Sequence, residues 1–163
     1  MIKIIINTTV CCIAVFVLAL SQSACVKEKA DKVTPAAANK FDINRIWNCH
    51  DSSNPYPSQI NQNLEGTWVW ISNSCYWNAG EATSADKHVV VTFNDGGLYE
   101  VFENSKIESK GSWKLSQAGN NTWSIITSAP SAYLNGYVLL CSDEVVFYSS
   151  YLDGCDYYFH KSE

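Results

Sequence analysis

Cysteines are the most reactive side chains in this sequence of 163 residues, which contains seven of them. Three histidines are the other side chains that commonly bind metals. Beyond residue 25 the cysteines are Cys49, Cys75, Cys141 and Cys155. No two of them have CxxC spacing, and Cys49-His50 has no partners at the spacing of zinc ligands. An even number of cysteines is typical of disulfides in an exported chain, and four cysteines permit three connectivities. The sequence therefore predicts two disulfides, no metal site and no cofactor.

Catalytic chemistry has little support in the motifs of this chain. It contains no Gly-x-Ser-x-Gly elbow, no HExxH motif and no phosphate-binding loop. Asp153 and Asp156 flank Gly154-Cys155, but paired carboxylates beside a turn are more often solvated than catalytic. We therefore expect that the protein is not an enzyme.

The first 24 residues have the composition of an export signal. Lys3 precedes an apolar run of eleven residues from Val10 to Leu20, and the small-residue segment Ser21-Gln22-Ser23-Ala24 follows. Eleven residues in a helix cover about 16 Å, roughly half of a bilayer core, so a cleaved signal peptide is favoured over a permanent span. An uncleaved membrane anchor is the alternative.

Cys25 directly follows this signal, and the segment resembles a lipobox, in which the cysteine thiol becomes lipidated. Ala24 and Ser23 fit that pattern, whereas Gln22 stands where an apolar residue is usual. Plain secretion with a free Cys25 thiol is the alternative. We predict acyl chains such as palmitate on Cys25, because two or three chains give stable attachment to a bilayer. No Asp follows Cys25, and by resemblance this favours the outer membrane of a bacterial envelope, with the domain facing the periplasm.

The mature chain divides by composition into a tether and one domain. Residues 25–40 carry Lys, Ala and Pro with few large apolar groups, which predicts a flexible tether with a mean reach of roughly 20 Å. Residues 41–163 form a single domain, which we expect to be monomeric. From Phe41 onward six basic residues stand against fourteen acidic ones, a net charge of −8. This balance argues against nucleic acid as a partner and against lying flat on anionic lipid.

Alternation of apolar residues predicts strands from about residue 66 onward. Turn residues such as those at 94–97 and 153–154 separate them. Residues 41–64 show helical spacing for only one or two turns, until the polar segment 51–55 interrupts it. With no crossover helix, the sheet is antiparallel, and eight strands favour closure into an up-and-down barrel. The eight predicted runs are 66–73, 88–93, 97–104, 108–116, 122–127, 137–142, 144–150 and 155–161.

The segment GTWVW at residues 66–70 belongs to a familiar arrangement. Cys75 closes this first strand, TFNDGGLYE follows at 92–100, and DGC at 153–155 precedes an aromatic strand. Over residues 64–163 the sequence resembles the lipocalin-like (calycin-type) lipoproteins of Bacteroidota and related bacteria. The resemblance implies an all-β barrel of eight strands.

Gly66 and Trp68 lie at the start of the first strand, where the chain enters the barrel, so we expect them to form a structural plug at a closed end. Lipocalins place a late Arg over this Trp. Here the last strand offers only His160 and Lys161, so this latch is absent or altered.

The topology of such a barrel also predicts how the cysteines pair. Its first and last strands are neighbours, so Cys75 and Cys155 fall at the same rim. Cys141 falls at the other rim, where the segment carrying Cys49 enters. We therefore predict the disulfides Cys75–Cys155 and Cys49–Cys141.

Large aromatic side chains in excess of what a small barrel needs favour a binding function. Trp70 and Trp113 point inward by alternation, and with Tyr99 and Tyr157 they are the candidate ligand-binding residues. We predict a small apolar or amphipathic ligand in the barrel mouth. Alternatively, these rings fill a solid interior, and the adaptable rim loops 79–87 and 128–135 serve a protein-interaction or inhibitor module.

Overall fold

The computed structural model describes residues 42–53 and 55–163. The predicted signal peptide, the lipidation site at Cys25 and the tether lie outside these residues. Among the described residues, no helix is long and apolar enough to cross a membrane. The helices are α1 (Ile43–Ser53) and α2 (Pro57–Leu64), and 3-10 turns span Tyr76–Asn78 and Ser150–Leu152. The strands are β1 (Gly66–Cys75), β2 (Ala82–Ser84), β3 (Val89–Asn94), β4 (Leu98–Glu103), β5 (Lys106–Gly119), β6 (Thr122–Thr127), β7 (Tyr137–Cys141), β8 (Glu144–Tyr148) and β9 (Cys155–Lys161).

The strands form one antiparallel sheet that closes on itself. β3 to β9 follow one another as a meander, and β1 closes the ring by pairing with both β3 and β9. The predicted eight-stranded up-and-down barrel is therefore confirmed. The three-residue strand β2 was not predicted, and it pairs with the second half of β1 beyond the end of β3.

The barrel has a closed end, where β1 begins at Gly66, and a mouth end, where β1 finishes at Cys75. Helix α2 covers the closed end, since Ile60 and Leu64 are fully buried in the main core. The fully buried Trp68 donates its indole N–H to the Leu64 carbonyl oxygen at 2.7 Å. Lys161 Nζ lies 5.1 Å from the centroid of the Trp68 ring, so the late cation over this tryptophan is a lysine.

Helix α1 packs on the outer face of β7, β8 and β9. Ile46 and His50 are both buried there. His50 Nδ1 accepts a hydrogen bond from the Leu140 N–H at 3.1 Å. The side chains buried with Ile46 are Leu139, Cys141, Val146 and Tyr158.

The helical segment is longer than predicted. Helix α1 continues to Ser53, through the segment expected to interrupt it, and residues 57–64 form a second helix that was not predicted. Pro57 suits the first turn of α2, because an N–H is not needed there. The Gln59 side chain accepts from the Tyr56 N–H at 2.9 Å and helps to begin the helix.

Both predicted disulfides are confirmed. Cys75–Cys155 joins the end of β1 to the start of β9 at the mouth end. Cys49–Cys141 joins α1 to the end of β7, near the closed end. Together they fix each end of the barrel to a distant part of the chain.

Aromatic rings fill the middle of the barrel. Trp113 packs edge-on against Phe93 with 5.2 Å between ring centroids. Phe93 contacts Phe147 at 6.2 Å, and Phe147 contacts Phe159 at 5.7 Å. Smaller buried side chains complete this core, among them Val89, Val91, Val101, Val138 and Val145.

Candidate functional site

A cavity of about 330 Å³ lies at the mouth end, and we call it the mouth pocket. Its aromatic walls come from β1, β9, the loop after β1 and the loop at 128–136. Two other cavities among the described residues are larger, at about 530 and 440 Å³, so the aromatic lining and not the volume distinguishes the mouth pocket. The aromatic residues are Trp70, Trp77, Tyr133 and Tyr157, and the polar ones include Asn73, Thr83, Ser84, Asp86 and Lys87.

Tyr133 is a buried aromatic residue of this site that the sequence did not reveal. Its ring is 5% exposed and lies 5.6 Å from that of Trp70 and 5.2 Å from that of Tyr157, centroid to centroid. Its hydroxyl donates to Glu103 Oε2 at 2.6 Å. Burial, and then this hydrogen bond, raise the pKa of Tyr133, so the phenol stays protonated at neutral pH. The loop predicted to be merely adaptable thus holds an aromatic side chain over the barrel interior.

Lys87 places a cation at the edge of the mouth pocket. Its Nζ lies 2.9 Å from Glu103 Oε1, and the hydrogen bond between them raises the pKa of Lys87. The hydrogen bond from Tyr133, and then that from Lys87, lower the pKa of Glu103. Glu103 therefore remains ionised and joins the two sides of the rim.

The structure brings together two of the four predicted ligand-binding residues. Trp70 and Tyr157 line the mouth pocket with 6.0 Å between their ring centroids, and the Trp70 indole N–H donates to the Ser72 carbonyl oxygen. Tyr99 and Trp113 are not among its lining residues.

Tyr99 is 1% exposed, and its hydroxyl donates to the Ala129 carbonyl oxygen at 2.7 Å. Trp113 is 7% exposed, and its Nε1 is buried without a hydrogen-bond partner among the described residues. Both rings therefore belong to the packed part of the barrel.

A β-bulge in β1 explains why Asn73 also reaches the mouth pocket. Pairing with β9 shifts register between Trp70 and Ser72. Alternation would place Asn73 on the outer face, but after the shift Asn73 pairs with the inward-facing Tyr157. Its amide nitrogen lies 3.2 Å from Cys75 Sγ, beside the disulfide.

The carboxylates Asp153 and Asp156 have different environments, and the expectation that both are solvated is wrong for Asp156. Its side chain is 4% exposed, and Oδ1 accepts hydrogen bonds from the Ser149 and Ser150 N–H groups, each at 2.8 Å. Burial raises the pKa of Asp156. This carboxylate therefore orders the loop that leads into β9.

Neither a metal site nor a comparison with known proteins identifies a further functional residue. Within residues 42–53 and 55–163, no group of three or more His, Cys, Asp or Glu side chains could hold a metal ion. Comparison with protein-family models, curated proteins and solved structures found no match to this chain.

Proposed function

We propose that this protein is a lipid-anchored, lipocalin-like binding module of the bacterial envelope that holds a small amphipathic ligand in the mouth pocket. The observation that carries the proposal is the composition of this pocket. Four aromatic rings form its walls and Lys87 stands at its edge, above an interior filled by packed rings. The ligand therefore sits at the rim and does not enter the middle of the barrel.

The chemistry of the pocket limits the class of ligand. Aromatic walls favour a flat or apolar body, which buries surface against the rings. Lys87 is already paired with Glu103, and Asp86 also lines the pocket. A ligand consequently does not need a charge, and a polar group that accepts or donates hydrogen bonds is sufficient at the edge.

The envelope location rests on the sequence before the barrel. The apolar run ending at Leu20, the small residues before Cys25 and the absence of a following Asp favour lipidation and the outer membrane. A chain with two disulfides also fits an oxidising compartment.

A pocket-filling variant tests ligand binding without disturbing the core. Ser84 is an exposed residue of β2 that lines the mouth pocket, so Ser84→Trp should occupy it. Ser116→Trp is the matched control, because Ser116 is an exposed strand residue outside the pocket. We expect Ser84→Trp to weaken binding of a naphthalene-sulfonate dye by about tenfold or more, a free energy of about 1.4 kcal/mol, and Ser116→Trp to leave it unchanged.

Equal dye affinity in the two variants, or no binding by the parent protein, would contradict the small-ligand proposal. The protein-interaction module would then be favoured, since the loops 79–87 and 128–135 both lie at the mouth end. A pull-down from envelope extracts with the parent protein and with Trp77→Ala would test that second function.

A further inference from the structure

The mouth end carries a group of exposed apolar side chains, which we call the rim patch: Tyr76, Trp77, Tyr151 and Leu152. Their exposed fractions are 62%, 66%, 41% and 64%. Tyr76 and Trp77 belong to the 3-10 turn after β1, and Tyr151 and Leu152 to the turn before β9. Aromatic and apolar residues at this exposure mark a surface that contacts another phase or molecule.

The rim patch is held rigidly by the fold. The Cys75–Cys155 disulfide joins the two turns, and the Tyr76 N–H donates to the Gly154 carbonyl oxygen at 3.1 Å. Tyr151 stacks on Tyr137 with 4.1 Å between ring centroids. The backbone of the two turns is therefore already ordered before it meets a surface, which lowers the entropy cost of binding.

Helix α1 begins at this same end of the barrel. Asp42 and Ile43, at the start of α1, line a cavity together with Tyr76, Gly80 and Ser150 of the mouth end. The predicted tether, residues 26–40, therefore precedes a helix that begins next to the rim patch. The mean reach predicted for a flexible tether of this length, roughly 20 Å, is shorter than the roughly 33 Å length of the ten-residue strand β1.

We propose that the rim patch rests on the bilayer in which Cys25 is anchored, so that the mouth pocket opens towards lipid. This inference rests on the lipid anchor of the proposed function. An anchor attached beside the mouth brings that end nearest to the headgroups, and Trp and Tyr are the side chains that favour the membrane–water interface. Trp77 lines the mouth pocket as well as the rim patch, so a ligand dissolved in the bilayer reaches the pocket without crossing water.

The net charge of the domain indicates which lipid headgroups the rim patch contacts. The domain has a net charge of −8 from Phe41 onward, which opposes close approach to an anionic surface. We therefore expect the contact on zwitterionic headgroups.

Tryptophan quenching by brominated lipid tests this orientation. The lipidated protein is reconstituted into phosphatidylcholine vesicles that contain phosphatidylcholine brominated on its acyl chains. Trp77 is the one exposed tryptophan of the described residues, so the quenching should be large in the parent and mostly lost in Trp77→Phe. The matched control adds Leu98→Trp to Trp77→Phe. Leu98 is 54% exposed at the closed end, and a tryptophan there should not be quenched.

The possible outcomes distinguish a failure of the membrane contact by the rim patch from a failure of the lipid anchor at Cys25. Equal quenching of tryptophans at residues 98 and 77 would overturn the inference. Quenching at neither position would also overturn it, and would indicate that the rim patch binds a protein partner. The intact mass of the purified protein shows whether Cys25 is acylated. If it is not, the Cys25 thiol is coupled to a maleimide-headgroup lipid and the same measurement tests the rim patch alone.

Discussion

The closed end of the barrel offers the sharpest test of the packing, through substitution of Trp68. This side chain is fully buried, so Trp68→Ala removes about 150–250 Å² of buried surface, which at about 25 cal/mol per Å² amounts to about 4–6 kcal/mol. Measured Trp→Ala costs are about 3–5 kcal/mol, and the Leu64 carbonyl also loses its donor. We therefore expect Trp68→Ala to lower the free energy of unfolding by about 4 kcal/mol. That is a large part of the roughly 5–15 kcal/mol that stabilises a domain.

Urea unfolding, followed by circular dichroism, measures this change and allows a matched comparison. Trp68→Phe keeps a ring but removes an N–H that is hydrogen-bonded, whereas Trp113→Phe removes a buried N–H that has no partner. We expect Trp68→Phe to cost about 1–3 kcal/mol more than Trp113→Phe. Trp77→Ala, at an exposed position, should change stability by less than about 0.5 kcal/mol. A Trp68→Ala cost below about 1 kcal/mol, close to that of Trp77→Ala, would refute the assignment of Trp68 as the plug.

Four further predictions follow from particular contacts. Burial lowers the pKa of His50 below 6.5, so the folded state binds fewer protons than the unfolded state at acidic pH. The free energy of unfolding should therefore fall by up to about 1.4 kcal/mol for each pH unit below 6.5. His50→Gln should remove this pH dependence from unfolding curves. Gly136 and Gly96 both have positive φ, but a Cβ at Gly136 would clash with the Tyr148 carbonyl oxygen, whereas one at Gly96 would touch nothing. Gly136→Ala should therefore lower the melting temperature far more than Gly96→Ala. Replacing Cys49 and Cys141 together by Ser should lower the free energy of unfolding by about 4.6 kcal/mol, because the bond closes a loop with a sequence separation of 92. An unchanged urea midpoint would argue that the bond is absent in solution. Cys25→Ala should release the protein from membranes and abolish labelling by a fatty-acid probe, and unchanged attachment would favour an uncleaved helix.

Much of the barrel could be predicted because period-two alternation survives wherever one face of a strand is buried. Strand β3 shows it, since its alternate residues Val89, Val91 and Phe93 are the buried ones. The Cys75–Cys155 disulfide followed from strand order, and the Cys49–Cys141 disulfide followed from the rim at which the segment carrying Cys49 was expected to enter. Helix α2 could not be found in the same way, since PSQINQNL has only two apolar residues beyond its proline and they pack against tertiary partners. Pro57 with Gln59 was the local signal available for it.

The mouth pocket was less accessible to sequence reasoning. The β-bulge after Trp70 reverses alternation through an extra residue that has no composition signal, so Asn73 could not be assigned to the interior. Tyr133 lies in a loop, where no periodicity applies, and its position depends on the distant Glu103. Tyr99 and Trp113 were grouped with Trp70 because alternation gives the face of a strand but not the height along the barrel.

Native mass spectrometry of the protein purified from its own host membranes tests the central claim most directly. The account predicts a chain that begins at an acylated Cys25, contains two disulfides and retains a small molecule. Ser84→Trp should lose that small molecule, and Ser116→Trp should keep it. An unmodified Cys25 together with no retained molecule in the parent protein would contradict the account.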